Sequence, residues 1–235
     1  MFPCINFKPV LLVLATGLLL AGCAYHGRVP RGIYHPLSQP QRADVSLLVI
    51  SDKNIPPEIV ITDPTSAALY DFTLTIGDGT AVAVTDALSA LVTRADAGPQ
   101  RLEKTYDFVV DVQVEAGLTR ADCTGSMTQL AARQDGLCTQ VMFSLRRGGE
   151  QTVLGSFSGK RWGVFAKRGA ASTVRWVNKS SLYILSAVLI PLYTQLQGEQ
   201  LRQQYQTHIK EILDDIVAQL ESQPQLFQTK DTPTH

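Results

Sequence analysis

The 235-residue chain carries 21 basic and 21 acidic residues, a formal net charge of zero, and a mean hydropathy of +0.04. Such a balance lacks the whole-protein positive field on which nucleic-acid binding draws. An apolar content of 45% is ordinary for a globular protein, and the length suits one sizeable domain better than two small ones.

Lys8 stands ahead of an apolar stretch from Val10 to Leu20, which closes on Leu20-Ala21-Gly22-Cys23. A positive start, an apolar core of about 11 residues and small residues before a cut describe an export signal over residues 1–22. Crossing a bilayer takes about 20 apolar residues, so this stretch cannot span one, and Thr16 and Gly17 interrupt it. The small-small-Cys ending resembles the lipobox of bacterial lipoproteins. That resemblance implies loss of residues 1–22 and a diacylglyceryl group on the thiol of Cys23. Two or three acyl chains make a stable anchor at about 0.8 kcal/mol per buried methylene. Ala24 rather than Asp follows the Cys, which by the same resemblance implies the outer membrane, with the protein facing the periplasm. The resemblance ends with this opening segment and names no family for the folded part.

Residues 23–43 are expected to form the lipidated Cys and an extended tether. Pro30, Pro36 and Pro40 alternate there with Gly27 and Gly32, and such a chain would reach up to about 60 Å. Ile33 and Tyr34 are the residues able to dock on the domain instead. A single α+β domain is expected over residues 44–222. Strands are predicted at Val45–Ile50, at Glu58–Thr62 after Pro56-Pro57, and at Tyr70–Ile76, the last alternating polar and apolar with period two. Thr80 is a candidate N-cap for a helix carrying Val84, Leu88, Leu91 and Val92 on one stripe and ending at Gly98-Pro99. Tyr106–Val114 is the clearest strand. Residues 117–137 read either as a ragged strand or as a disulfide-closed loop. Thr139–Arg146 and Thr152–Ser158 form a predicted hairpin, with Gly148-Gly149 supplying the positive φ of its turn.

The C-terminal third is predicted helical. Leu182, Leu185, Leu189, Leu192 and Leu196 repeat at helical spacing; after Gly198 the register shifts to Tyr205, Ile209, Ile212, Ile216 and Leu220. Pro191 is expected to kink this helix or to start a new one. Leu182–Tyr193 is the most apolar part of the mature chain; it reads as a core helix under the sheet, with an interfacial or partner-binding helix as the alternative. Residues 223–235 are polar and predicted disordered. This order of elements indicates an α+β fold, with a mostly antiparallel sheet packed by helices and a long C-terminal helical segment.

Four cysteines are present. By the lipobox resemblance, Cys4 would leave with the signal and Cys23 would be lipidated. Cys123 and Cys138 are then the only pair for a structural disulfide in an oxidising compartment. A metal or redox pair is a poor alternative, since there is no CxxC and no nearby His.

Catalytic patterns are sparse. His26, His35, His208 and His235 show no metal spacing, and His208 is expected to be solvated beside the helical stripe. Gly155-Ser156-Phe157-Ser158-Gly159-Lys160 fails both the nucleophile elbow and the P-loop and reads as a strand ending in a Gly-rich bend. Gly77-Asp78-Gly79 reads as a turn. Asp107 and Asp111 would share one strand face, and Asp214-Asp215 lie on the last helix. The one uneven charge distribution is at 146–179, where Arg161, Lys167, Arg168 and Arg175 interleave with Trp162 and Trp176. These six residues are the candidate patch for an anionic lipid or an acidic partner; the alternative is an ordinary basic loop balanced by acidic helices. No metal and no cofactor are expected. The sequence therefore points to a non-enzymatic envelope lipoprotein acting as an assembly or scaffold component beside a protein partner. The second expectation is a lipid- or lipopolysaccharide-binding lipoprotein using the basic-aromatic patch.

Overall fold

Two β-sheets share one long helix. In a computed structural model of the chain, the described residues are 24–35, 42–51, 55–62, 71–119, 136–164 and 183–228. In chain order the elements are β1 (Ala24–Arg28), β2 (Ala43–Ile50), β3 (Glu58–Thr62), β4 (Asp71–Thr75), α1 (Gly77–Leu88), β5 (Val92–Gly98), β6 (Phe108–Thr119), β7 (Gly136–Arg147), β8 (Val153–Val164) and α2 (Tyr183–Glu221). Short 3-10 turns occupy Gln100–Thr105 and Pro224–Phe227. The fold is α+β, as the order of elements indicates.

The smaller sheet has the order β1-β4-β3 and the larger β5-β2-β6-β7-β8. The long pairings, β6 with β7 and β7 with β8, are antiparallel, as is β3 with β4. β2 lies parallel to both of its neighbours, and β1 runs parallel to β4. From Leu47 to Ile50 β2 is a continuous apolar run because both its faces are covered there. Leu47 and Val49 enter the main core, while Leu48 and Ile50 join Val109 and Tyr106 in a small cluster on the opposite face.

The C-terminal helix supplies most of the layer over the sheets. α2 continues through Pro191 as one 39-residue helix. Its large buried apolar residues include Leu201, Tyr205, Ile209, Ile212, Leu213, Ile216 and Leu220, and the helix packs with β1, β7, β8 and α1. Burying each such side chain contributes about 1.5–3 kcal/mol. Within the helix Thr80 of α1 meets Tyr205 through a buried 3.0 Å hydroxyl–hydroxyl hydrogen bond.

Four sequence expectations are corrected. Residues 24–35 are no tether: β1 begins at Ala24, and Tyr25, Val29 and Tyr34 are buried. Parallel pairing with β4 and the face of α2 bury aromatic side chains that composition alone marks as solvated. The helix read to Gly98 stops at Leu88, and Val92–Gly98 instead forms an edge strand beside β2. Leu91 and Val92 are buried as predicted, but from a turn and a strand. The strand read as Thr152–Ser158, ending in a Gly-rich bend, runs on to Val164. Past Glu221 the chain is not wholly disordered: Phe227 is buried and meets Phe108 edge-on, with ring centroids 5.6 Å apart.

The hairpin turn is as expected, with Gly149 at φ +75°. A second glycine is required by close approach. A Cβ on Gly198 would overlap ring carbons of Tyr25. In an open helix Gly→Ala gains about 1 kcal/mol, but overpacking costs about 1–3 kcal/mol. Gly198→Ala is therefore expected to lower the urea midpoint in the wild-type background and to raise it in a Tyr25→Ala background. Equal shifts in both backgrounds would show that the Tyr25–Gly198 contact has no energetic weight.

Candidate functional site

The residues predicted to carry function fall into three groups. The first is the anchor end. Cys23 lies outside the described residues, but Ala24 opens β1 directly after it. Two residues later the Tyr25 hydroxyl donates to Glu199 Oε2 at 3.1 Å. Arg202 Nε donates to the same carboxylate at 2.9 Å, Arg202 Nη2 pairs with Glu199 Oε1, and Gln203 Nε2 donates to Oε1 at 3.0 Å. Arg202 Nη1 also reaches the Arg28 carbonyl at 3.5 Å. This cluster clamps α2 to β1 beside the predicted anchor. The donors around Glu199, Arg202 first, hold its carboxyl down at about 2. Burial, then the Glu199 carboxylate, pushes the Tyr25 phenol up.

The second group is the basic-aromatic segment. Its predicted members divide between the described residues and the rest. Arg161 donates from Nε to Glu211 Oε2 at 3.0 Å and pairs through Nη2 with Asp215, both on α2. Trp162 is half-buried on β8, opposite Cys138 of β7. Lys167, Arg168, Arg175 and Trp176 lie outside the described residues. Arg146, the first cation of the segment, is buried. Its Nη2 donates to Glu103 at 2.7 Å, its Nε to Asp111 at 2.9 Å and its Nη1 to the Glu150 carbonyl at 3.1 Å. The charges of Arg146 and Arg161, unbalanced along the chain, are balanced across it.

The third group comprises the cysteines, the histidine and the acidic pairs. Cys138 is buried and disulfide-bonded; Cys123 lies outside the described residues. His208 is not solvated: it is 5% exposed, and its Nδ1 lies 3.1 Å from the Thr139 hydroxyl. Burial lowers its pKa, so the ring sits against the sheet as a neutral hydrogen-bonding group. Asp107 and Asp111 are each engaged with a different partner. Asp107 precedes β6 and accepts from Ser46 N at 2.8 Å and Ser46 Oγ at 2.7 Å, which lowers its pKa; Asp111 is paired with Arg146. Asp214 accepts from the buried Tyr34 hydroxyl, whose pKa rises through burial first and this hydrogen bond second.

At the end of the domain away from β1's start, an open cleft of about 440 Å³ lies between Arg42, Leu91, Leu220, Glu221 and Phe227. Among the described residues no three His, Cys, Asp or Glu side chains converge as metal ligands, and no helix is long and apolar enough to cross a membrane.

No family model matches this chain, and no curated protein matches it. Several solved structures are similar to it. A DUF330 protein from Xanthomonas campestris shares 13% identity at a TM-score of 0.40, covering 85% of this chain and 98% of its own. A putative neuraminyllactose-binding hemagglutinin homolog from Helicobacter pylori shares 10% identity at a TM-score of 0.34, covering 76% and 97%. PelC from Paraburkholderia phytofirmans, crystallised as a dodecamer, shares 16% at a TM-score of 0.31, covering 68% and 93%. Likenesses of this size carry no functional inference.

The clamp around Glu199 has a pH signature. A carboxyl held below its ordinary value contributes stability that is complete above about pH 4.5, its unfolded value, and is lost as pH falls towards about 2. Glu199→Gln is expected to flatten the dependence of the urea midpoint on pH across that window. An unchanged slope would show that the carboxylate is not held by these donors.

Proposed function

We propose that this chain is an outer-membrane-anchored lipoprotein facing the periplasm, whose α+β domain is an assembly or scaffold component of an envelope complex. One observation carries this reading: Leu20-Ala21-Gly22-Cys23 stands one peptide bond ahead of β1. The acyl chains of Cys23 would thus be attached to the rim of the folded core, and the domain would ride on the membrane surface. The acidic residues favour a binding role over hydrolysis, because Asp107, Asp111, Glu103, Asp215 and Glu199 are all engaged in joining elements of the fold. A lipid- or lipopolysaccharide-binding role through the basic-aromatic segment has less support, since Arg146 and Arg161 each satisfy two carboxylates of the same chain.

Replacing Cys23 by Ser tests the anchor. Wild-type cells fed labelled palmitate should incorporate it into this chain and hold the chain in the outer-membrane fraction. Cys23→Ser should lose the label and most of the sedimenting protein, by at least tenfold. A free thiol at position 23 of the mature wild-type chain, or a leader still attached, would overturn the reading. For the assembly role, crosslinking in intact cells is expected to join the anchored chain to a defined envelope protein; turnover of a cell-wall or lipid substrate by the purified protein would overturn it.

A further inference from the structure

Arg42 and Glu221 differ from the charges that join the elements of the fold. Arg146, Arg161 and Arg202 are each committed to carboxylates of the same chain. Arg42 stands just ahead of β2 and Glu221 is the last residue of α2. Both are exposed, and among the described residues neither side chain makes a hydrogen bond or an ion pair. Both line the cleft of about 440 Å³.

The rest of that cleft is apolar, formed by Ala43, Leu91, Leu220, Pro224 and Phe227. Its walls are tied together within the fold. Ala43 N donates to the Leu91 carbonyl at 2.8 Å, and Gln223 N donates to the Leu220 carbonyl at 3.0 Å. Phe227 is held edge-on by Phe108. Leu91, Leu220 and Phe227 are themselves buried, so the floor is preformed. A concave, mostly apolar space with a few polar groups is the usual anatomy of a small-ligand site, and preorganised walls lower the cost of binding. The volume is near the lower end of the roughly 300–1,000 Å³ of such sites, which suits a dipeptide better than a long chain.

The two charges restrict what fits. A ligand with only negative charge would meet Glu221 and, behind it, the negative end of α2, whose last turn carries no basic residue. A ligand with only positive charge would meet Arg42. A zwitterion satisfies both. Its carboxylate accepts from the Arg42 guanidinium, and its ammonium donates to the Glu221 carboxylate at the helix end that favours a cation. Apolar side chains between those two ends would displace water from Leu91, Leu220 and Phe227. We propose that this cleft binds short apolar peptides by their free ends, with the α-carboxylate on Arg42 and the α-ammonium on Glu221. The site lies away from the start of β1 and does not depend on the anchor; on the proposed attachment it faces away from the bilayer, which favours a peptide over the headgroup of a zwitterionic lipid.

The test uses the full chain purified from cells and held in phosphatidylglycerol nanodiscs, with empty nanodiscs as the blank. Ligand-observed NMR reads binding of leucyl-phenylalanine, its N-acetyl form, its C-terminal amide, glycylglycine and dihexanoylphosphatidylethanolamine. Leucyl-phenylalanine should saturate and bind at least threefold more tightly than either blocked form, the size of effect an exposed charge pair supplies; glycylglycine should not saturate. Arg42→Gln should weaken the dipeptide and its N-acetyl form at least threefold and leave the amide unchanged. Glu221→Gln should weaken the dipeptide and its amide by the same factor and leave the N-acetyl form no weaker. Both variants should keep the wild-type urea midpoint, because neither side chain has a partner to lose. Equal affinity for the three forms, losses that depart from this crossed pattern, or tighter binding of the lipid than of the dipeptide would overturn the proposal. A chain without acyl groups that binds in the crossed pattern would overturn the anchor and leave this site standing.

Discussion

The fold depends on one apolar stripe. From Leu201 to Leu220, α2 is the surface on which two otherwise separate sheets are buried, since β1 belongs to one sheet and β7 and β8 to the other. Neither sheet could close a core by itself: the three strands of the smaller one are each five residues long, and the larger leaves one broad face to be covered. Because the hydrophobic effect is roughly proportional to apolar area removed from water, a helix that serves two sheets contributes through both interfaces. Polar side chains then fix how the helix sits. Glu199 and Arg202 hold it to β1, and Glu211 and Asp215 hold it to β8 through Arg161. Exposed ion pairs of this kind are individually weak, at about 0–1 kcal/mol, so they set register more than stability.

The parts legible in the sequence are those whose pattern is local. β2, β3, β4, β6 and the β7–β8 hairpin announce themselves through β-branched runs, period-two alternation and a Gly-Gly turn. The stripe Tyr205, Ile209, Ile212, Ile216 and Leu220 is buried as its spacing says. β1 and β5 were illegible for a shared reason. Ala-Tyr-His-Gly-Arg and Val-Thr-Arg-Ala-Asp-Ala-Gly have no strand pattern; each becomes a strand by parallel pairing with a partner far away in sequence, and context decides strand propensity. His208 was misplaced because a helix covered by two sheets buries a wider arc than a single stripe.

The charged patch shows the complementary limit. A linear sequence reveals that Arg146 and Arg161 lie in a basic stretch, but not that Glu103 and Asp111, or Glu211 and Asp215, meet them across the fold. Burying a guanidinium such as that of Arg146 is tolerable only with its partners in place, so its position beside two carboxylates is a condition of folding before it is a feature of any surface. Arg146 and Arg161 are thereby committed to partners within the fold.

The direct join between position 23 and β1 also has a mechanical meaning. On the proposed attachment, any pull on the body relative to the bilayer is applied at the first residue of a strand whose hydrogen bonds to β4 run the length of Ala24–Arg28. Load along that axis strains all of these bonds together instead of opening them one at a time from an end. The short parallel ladder, with Tyr25 wedged against Gly198, would act as a shear joint that transmits force into the core without a compliant leash to absorb it.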